Sequence, residues 1–206
     1  MYISDVSKTA IITLRSRVIE SEKGRIRFSD PMAVYVLDKL KLLYPNYTNE
    51  FVFTKNLSPT LTSHLALRAR KYDALINEYI SQNPGCTVVN LGCGFDTRYW
   101  RIDHENCRYF ELDLPEMIDI KKEILKDNLN YDLIGCSVLD KSWIEQITHK
   151  GNEKVLLVAE GLLMYLNKKE VIDLFKVFSE KLIDSQIILE VVTEKYTHGL
   201  WKKMAE

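Results

Sequence analysis

The sequence contains no Gly/Ser-rich linker, no low-complexity tract and no internal repeat, so nothing in it suggests a disordered connector or a solenoid. No apolar run approaches membrane-spanning length. The first residues, MYISDVSKTAIITLRSR, carry an early acid and too short an apolar stretch for a secretory signal, and the expected location is the cytoplasm. A strong charge of one sign is also missing. The formal net charge is −1 and the Lys and Arg residues are scattered, which argues against nucleic acid or an anionic membrane as partner and leaves a small molecule as the first guess. Cysteine is sparse. Cys86, Cys93, Cys107 and Cys136 form no CxxC pair and sit in or beside apolar runs, so they read as core thiols rather than metal ligands or disulfides, and no metal is expected.

What is present suits one sizeable core, since 206 residues are enough for a single domain with an appended subdomain. The pattern changes near Ser81 to Gly85. Residues 1–84 read as a helical cap, and residues 85–206 as strands alternating with helices. In the first part, Asp30-Pro31 pairs an N-cap acceptor with a proline at the first helical position, ahead of a face marked by Val36, Leu40 and Leu43. A second helix is expected from about Ser63, with Leu65, Ala69, Tyr72, Leu75, Ile76, Tyr79 and Ile80 on one stripe.

In the second part, TVVNL (87–91), CRYFELD (107–113), DLIGCS (132–137), KVLLVAE (154–160) and QIILEVV (186–192) are short, rich in branched or aromatic residues, and closed by polar or glycine breaks. Helical periodicity fills 116–125 and 169–182. Continuous apolar strands with helical crossovers predict an α/β Rossmann-like fold, a mostly parallel doubly wound sheet with helices on both faces.

Ligands of such sheets bind beyond the carboxyl ends of the strands, which directs attention to the residues there. The first predicted strand runs into Gly92-Cys93-Gly94-Phe95-Asp96, where two glycines permit a tight turn and close approach to a ligand. A dinucleotide site would place a third glycine where Thr97 stands, so NAD and FAD are disfavoured and a nucleoside without pyrophosphate, such as S-adenosylmethionine, fits better. Glu111 and Asp113 share one sheet face. Asp113, nearer the tip, is placed to accept from ribose hydroxyls or else to cap the helix opening at Pro115. Arg68 falls among the apolar positions of its helix and needs an anion, either a ligand carboxylate or a core Asp or Glu, unless it snorkels to solvent. Glu160 closes the fourth strand, facing a sulfonium or amino group of a ligand or facing solvent, and Tyr165 either lines an acceptor pocket or simply packs.

The strings VVNLGCGFDTRYWR, YFELDLP and LLVAEGLLMYL resemble the leucine carboxyl methyltransferase family, including its bacterial polyketide O-methyltransferase branch of the tetracenomycin type. Thr9-Ala10, Arg15 to Arg17 and Phe28-Ser29-Asp30-Pro31 are similar to that branch as well. The resemblance implies a class I S-adenosylmethionine-dependent methyltransferase fold with an N-terminal helical lid. It implies a cofactor carboxylate at Arg68, backbone contacts through Gly92, Cys93 and Gly94, a ribose contact at Asp113, and Glu160 beside the cofactor, with Asp96, Glu111 and Leu114 in the same shell. An Asp-Leu pair commonly follows the third strand in the family and contacts the adenine side. Ser137-Val138 stands in that place here, with Asp140 further on. Arg15 and Tyr165 are the expected acceptor contacts.

The family continues past its fifth strand through a helix and an antiparallel strand pair, so C-terminal strands are expected to be missing and the edge at QIILEVV to be open to homodimer pairing. The expected reaction is in-line displacement at a sulfonium methyl by the oxygen of a small-molecule hydroxyl or carboxylate, with alignment and water exclusion as the main catalytic devices. A carboxylate acceptor needs no general base, and none of His64, His104, His149 and His198 follows a predicted strand, so no base is assigned. Other readings are methylation of a protein C-terminus, a cofactor-binding protein without turnover, and a nucleotide-dependent oxidoreductase on the same fold.

Overall fold

The structure is a computed structural model that describes residues 5–24, 28–47, 51–148 and 154–191. His149, His198 and the expected strand residue Val192 lie outside the described residues. Five strands, β1 (Cys86–Leu91), β2 (Cys107–Asp113), β3 (Asp132–Gly135), β4 (Val155–Ala159) and β5 (Gln186–Leu189), form one sheet in the order β3-β2-β1-β4-β5. Every pairing is parallel. The chain reverses direction of winding at β1, so a crevice opens where the loops after β1 and β4 part.

Seven helices accompany the sheet among the described residues: α1 (Asp5–Lys23), α2 (Pro31–Leu43), α3 (Phe51–Thr54), α4 (Pro59–Gln82), α5 (Pro115–Leu125), α6 (Ser142–Ile147) and α7 (Lys168–Lys181). Their starts follow local chemistry. Asp30 accepts from the Ala33 amide at 3.0 Å with Pro31 in the first turn of α2, and Asn167 and Glu170 close a reciprocal capping box on α7. α4 begins four residues before Ser63, because Ser58 supplies a cap to Leu61 and Pro59 the first helical position. The apolar stripe begins later than the helix and therefore did not mark its start.

β1 is buried along its whole length, and its alternating residues feed two cores. Val88 joins Tyr72, Ile76 and Ile80 of α4 on one face, while Val89 and Leu91 join Trp143 of α6 and Phe178 of α7 on the other. A third cluster packs Ile11 and Leu14 of α1 and Val36 and Leu40 of α2 against Met117 and Ile124 of α5. α4 thus serves as a covering helix of the sheet, although the change of sequence pattern near residues 81–85 falls at its end.

Four guanidinium groups and five carboxylates tie these layers together beneath the loop after β1. Arg17 of α1 pairs with Asp30 at 3.1 Å, and Asp30 with Arg101 at 2.6 Å. Arg101 reaches Asp73 of α4 at 2.7 Å and Asp96 at 3.2 Å. Arg98, wholly buried, binds Asp73 at 3.0 Å, Asp96 at 2.8 Å and Glu160, and Glu160 passes the chain of charges to Arg68 and Glu190. Buried charges persist only when neutralised in this way, and removing one partner strands the others.

Candidate cofactor and acceptor site

The loop after β1 takes its shape from its glycines. Gly92 and Gly94 adopt φ of +64° and +48°, and a Cβ there would come within 3.0 Å of Leu162 Cδ1 and of Ala10 Cβ respectively. Both conformation and space therefore favour glycine. The amides of Gly92 and Cys93 donate to the Leu112 carbonyl at 2.8 and 3.1 Å, which bends the loop across the end of β2.

That bend brings Asp113 under the loop. Its Oδ2 accepts from the Gly94 amide at 2.6 Å and its Oδ1 from the Leu114 amide at 2.7 Å, and burial lifts its pKa above the usual aspartate range. Asp113 does not cap α5, whose N-cap is Leu114 with no side-chain cap bond. Asp96 accepts from Asn90 at 3.0 Å and from the Thr97 amide at 2.8 Å. Burial alone would raise its pKa, but Arg98, Arg101, Arg17 and Lys121 hold it well below the usual range. The Thr97 hydroxyl donates to both oxygens of Asp30, at 2.7 and 2.8 Å. The position at which a dinucleotide fold keeps glycine thus fastens the loop to the start of α2.

A cavity of about 680 Å³ opens over this loop. It is lined by Arg68, Gly92, Cys93, Gly94, Asp96, Asp113, Leu114, Ser137, Val138, Glu160 and Tyr165, all singled out in the sequence. Arg68 reaches in from α4, donating through Nε to Glu160 at 2.8 Å and through Nη1 to both oxygens of Glu190 at 3.1 Å. Arg68 therefore has the protein carboxylate partners that were one of its expected environments, and it lies on the cavity wall. The Cys93 thiol is buried and its pKa is pushed well above the usual value by desolvation, which keeps it neutral. A shallower groove of about 390 Å³ between α6 and α7 shares only Val138 with the site residues.

Two expected contacts fall elsewhere. Glu111 is wholly buried and does not line the cavity; it accepts from Tyr131 at 3.0 Å and pairs with Lys121 at 2.6 Å. Burial raises its pKa, against the pull of Lys121. Lys121 in turn donates to the Asp96 carbonyl at 2.7 Å, so this pair braces the glycine loop from behind. Arg15 does not line the cavity either. It donates to the carbonyls of Val52 and Lys55 at 2.7 and 2.9 Å and anchors the segment around α3, because a guanidinium beside two open helix-end carbonyls finds its partners there.

His64 and His104 do not line the cavity; His64 is exposed and His104 stacks on Tyr99 with ring centroids 4.1 Å apart. Among the described residues no cluster of three or more His, Cys, Asp or Glu side chains is arranged to hold a metal ion, and no helix is long and apolar enough to cross a membrane. Sequence reasoning missed Asp73, Glu190, Arg98 and Arg101. Asp73 left a trace, since it sits four residues after Ala69 on the buried face of α4, where an acid demands a cation.

The model of the family described as leucine carboxyl methyltransferase matches residues 10–179. The chain belongs to the leucine carboxyl methyltransferase family. It is 25% identical over 170 residues to the tetracenomycin polyketide synthesis O-methyltransferase TcmP of Streptomyces glaucescens, covering 82% of this chain and 59% of that protein. It is 24% identical to the S-adenosyl-L-methionine-dependent methyltransferase dpfgK of Gibberella zeae, covering 92% of this chain and 65% of that protein. Leucine carboxyl methyltransferase 1 of Debaryomyces hansenii is 26% identical, with 90% and 64% covered. The chain therefore spans roughly three-fifths of the length of these relatives. The fold is similar to that of magnesium protoporphyrin IX methyltransferase from Synechocystis with bound SAH, with a TM-score of 0.50 at 12% identity, covering 80% of this chain and 78% of that one. In this family member the glycine loop, the β2 tip and the β4 end, read separately from the sequence, converge on one cavity.

Proposed function

We propose that this chain binds S-adenosylmethionine in the cavity over β1 and transfers its methyl group to an oxygen of a small-molecule acceptor, a hydroxyl or a carboxylate. The observation that carries the reading is the placement of Arg68 and Asp113 on one cavity wall system with the Gly92–Gly94 bend between them. The residues fit such a ligand. A Cβ at either glycine would press on Leu162 or Ala10, so the bend leaves bare backbone facing the cavity. Asp113 offers a carboxylate of the kind that accepts from a ribose diol, and Arg68 a guanidinium suited to a carboxylate. When bound, S-adenosylmethionine supplies an electrophilic methyl on a sulfonium.

The chain's own residues supply orientation. Glu160 is fixed by Arg98 behind it and by Arg68 beside it, so it presents negative charge at the end of β4 with little freedom to move. A preorganised carboxylate of this kind favours a cationic centre without having to reorient as charge shifts. Ile12 of α1 and Leu61 and Leu65 of α4 give the cavity wall an apolar stretch, and Met164 and Tyr165 line it with exposed side chains. Such a wall excludes water from the reacting atoms, and α1 then acts as part of the lid expected of residues 1–84.

The likeness to TcmP supports a small polyketide-like acceptor, whereas the likeness to leucine carboxyl methyltransferase 1 supports a peptide carboxylate. Calorimetry with S-adenosylhomocysteine tests the cofactor, and Arg68→Ala and Asp113→Ala should each abolish the heat signal. Binding that survives both substitutions overturns the reading. Methyl transfer to phenolic, small-acid and C-terminal peptide acceptors then separates the acceptor classes.

A further inference from the structure

Arg68 holds two carboxylates of unequal standing. Glu160 receives Nε and is also gripped by the buried Arg98, so it has two cations and is 15% exposed. Glu190, just past the end of β5, receives Nη1 on both of its oxygens, is 28% exposed, and among the described residues has Arg68 as its one ion-pair partner. Of the two, Glu190 is the one that can be exchanged.

Its position makes that exchange relevant. Gly161 lines the cavity, and a Cβ built on Gly161 would sit 3.6 Å from Glu190 Oε1, so Glu190 lies directly behind the wall. A carboxylate that binds a guanidinium end-on uses both terminal nitrogens. With Nε committed to Glu160, the end of Arg68 that such a ligand needs includes the Nη1 already shared by the two Glu190 oxygens. Close by, the Tyr72 hydroxyl is buried without a hydrogen-bond partner. Burial first, then the charges of Glu190 and Glu160, push its pKa far up, so it remains a hydrogen-bond donor at any ordinary pH. A polar group left orphaned in this way is unfavourable unless some state of the protein satisfies it.

We propose that Glu190 is a specificity-determining residue, an internal competitor that occupies the end of Arg68 a ligand carboxylate must take, with the Tyr72 hydroxyl as the donor that receives Glu190 when it gives way. This rests on the reading above that a carboxylate-bearing nucleoside fills the cavity. Glu190 then lowers affinity for every ligand carrying that carboxylate and leaves affinity for the bare nucleoside unchanged.

The test compares S-adenosylhomocysteine with 5′-methylthioadenosine, which keeps the nucleoside and sulfur and lacks the carboxylate, by calorimetry on the full chain. Glu190→Gln keeps the shape and removes the charge, and Glu190→Asp keeps the charge on a shorter arm. S-adenosylhomocysteine is expected to bind Glu190→Gln roughly fivefold more tightly than wild type, with Glu190→Asp between them, while 5′-methylthioadenosine is unaffected by either. Weaker or unchanged S-adenosylhomocysteine binding in Glu190→Gln, or an equal shift for both ligands, overturns the role of Glu190 and leaves the functional reading standing. Failure of wild type to bind either ligand overturns the functional reading itself, and the inference with it.

Discussion

The Thr97 hydroxyl donates to the carboxylate of Asp30, 67 residues earlier in the chain, and so fastens the loop after β1 to the N-terminus of α2. Asp30 is at once the cap of α2, the partner of Arg17 and Arg101, and the acceptor for Thr97. Helical cap and candidate ligand loop are therefore one mechanical unit. Thr97→Val keeps the branched shape and removes the donor. It should lower unfolding free energy by about 2 kcal/mol, the range for a hydrogen bond to a charged group, as read from urea midpoints. An unchanged midpoint would mean that the two arginines alone hold Asp30.

Gly94→Ala meets two obstacles, the left-handed φ of +48° and the Ala10 Cβ at 3.0 Å. The conformation alone costs roughly 1–2 kcal/mol. Because the displaced atoms line the cavity, S-adenosylhomocysteine affinity should fall more than stability does. The double variant Ala10→Gly with Gly94→Ala should recover part of that affinity, since it removes the colliding methyl; if it recovers none, strain in the loop is the whole effect.

Acid stability should reveal Asp96. Its pKa is depressed in the folded protein, so its contribution to stability is present above the ordinary aspartate range, about pH 4, and is lost as the pH falls through the folded value. Asp96→Asn should lower stability at neutral pH and flatten its decline between roughly pH 4 and 2. Parallel declines in the two proteins would show that other carboxylates carry the acid transition.

Asp113 behaves in the opposite sense. Burial raises its pKa, so the carboxylate is lost at a higher pH than an ordinary aspartate would lose it. If that carboxylate grips the ribose, S-adenosylhomocysteine affinity should begin to fall on acidification while the overall fold persists by circular dichroism, and Asp113→Asn should make the remaining affinity flat across that window.

Tyr165 is 46% exposed on the cavity wall. Tyr165→Ala should change unfolding free energy by no more than about 0.5 kcal/mol and leave S-adenosylhomocysteine affinity intact. An acceptor that stacks on the ring should show a raised KM; equal KM values across acceptors would remove Tyr165 from the acceptor site.

Much of this was legible in one dimension because the signals are local. β2 matches CRYFELD from end to end, and α2 and α5 start at Asp30-Pro31 and Pro115, where a cap or a proline marks the boundary. α1 and the short α3 and α6 lacked so clear a mark, and α4 started ahead of its stripe. Glu111 and Asp113 looked alike, two residues apart on one face. Only packing separates them: Glu111 lies under Lys121 and Tyr131, and Asp113 lies at the cavity.

The local pattern of glycines, caps and apolar periodicity settled the fold class, the bend after β1 and the identity of the cavity's principal residues, because each depends on neighbours within a turn or a strand. Which charge answers which was decided in three dimensions. Arg98 finds Asp73 and Glu160 at separations of 25 and 62 residues, and Arg68 finds Glu190 across 122. Such partners are chosen by the order of strands and by the cost of leaving a buried charge alone, and neither is written in any short stretch of the chain.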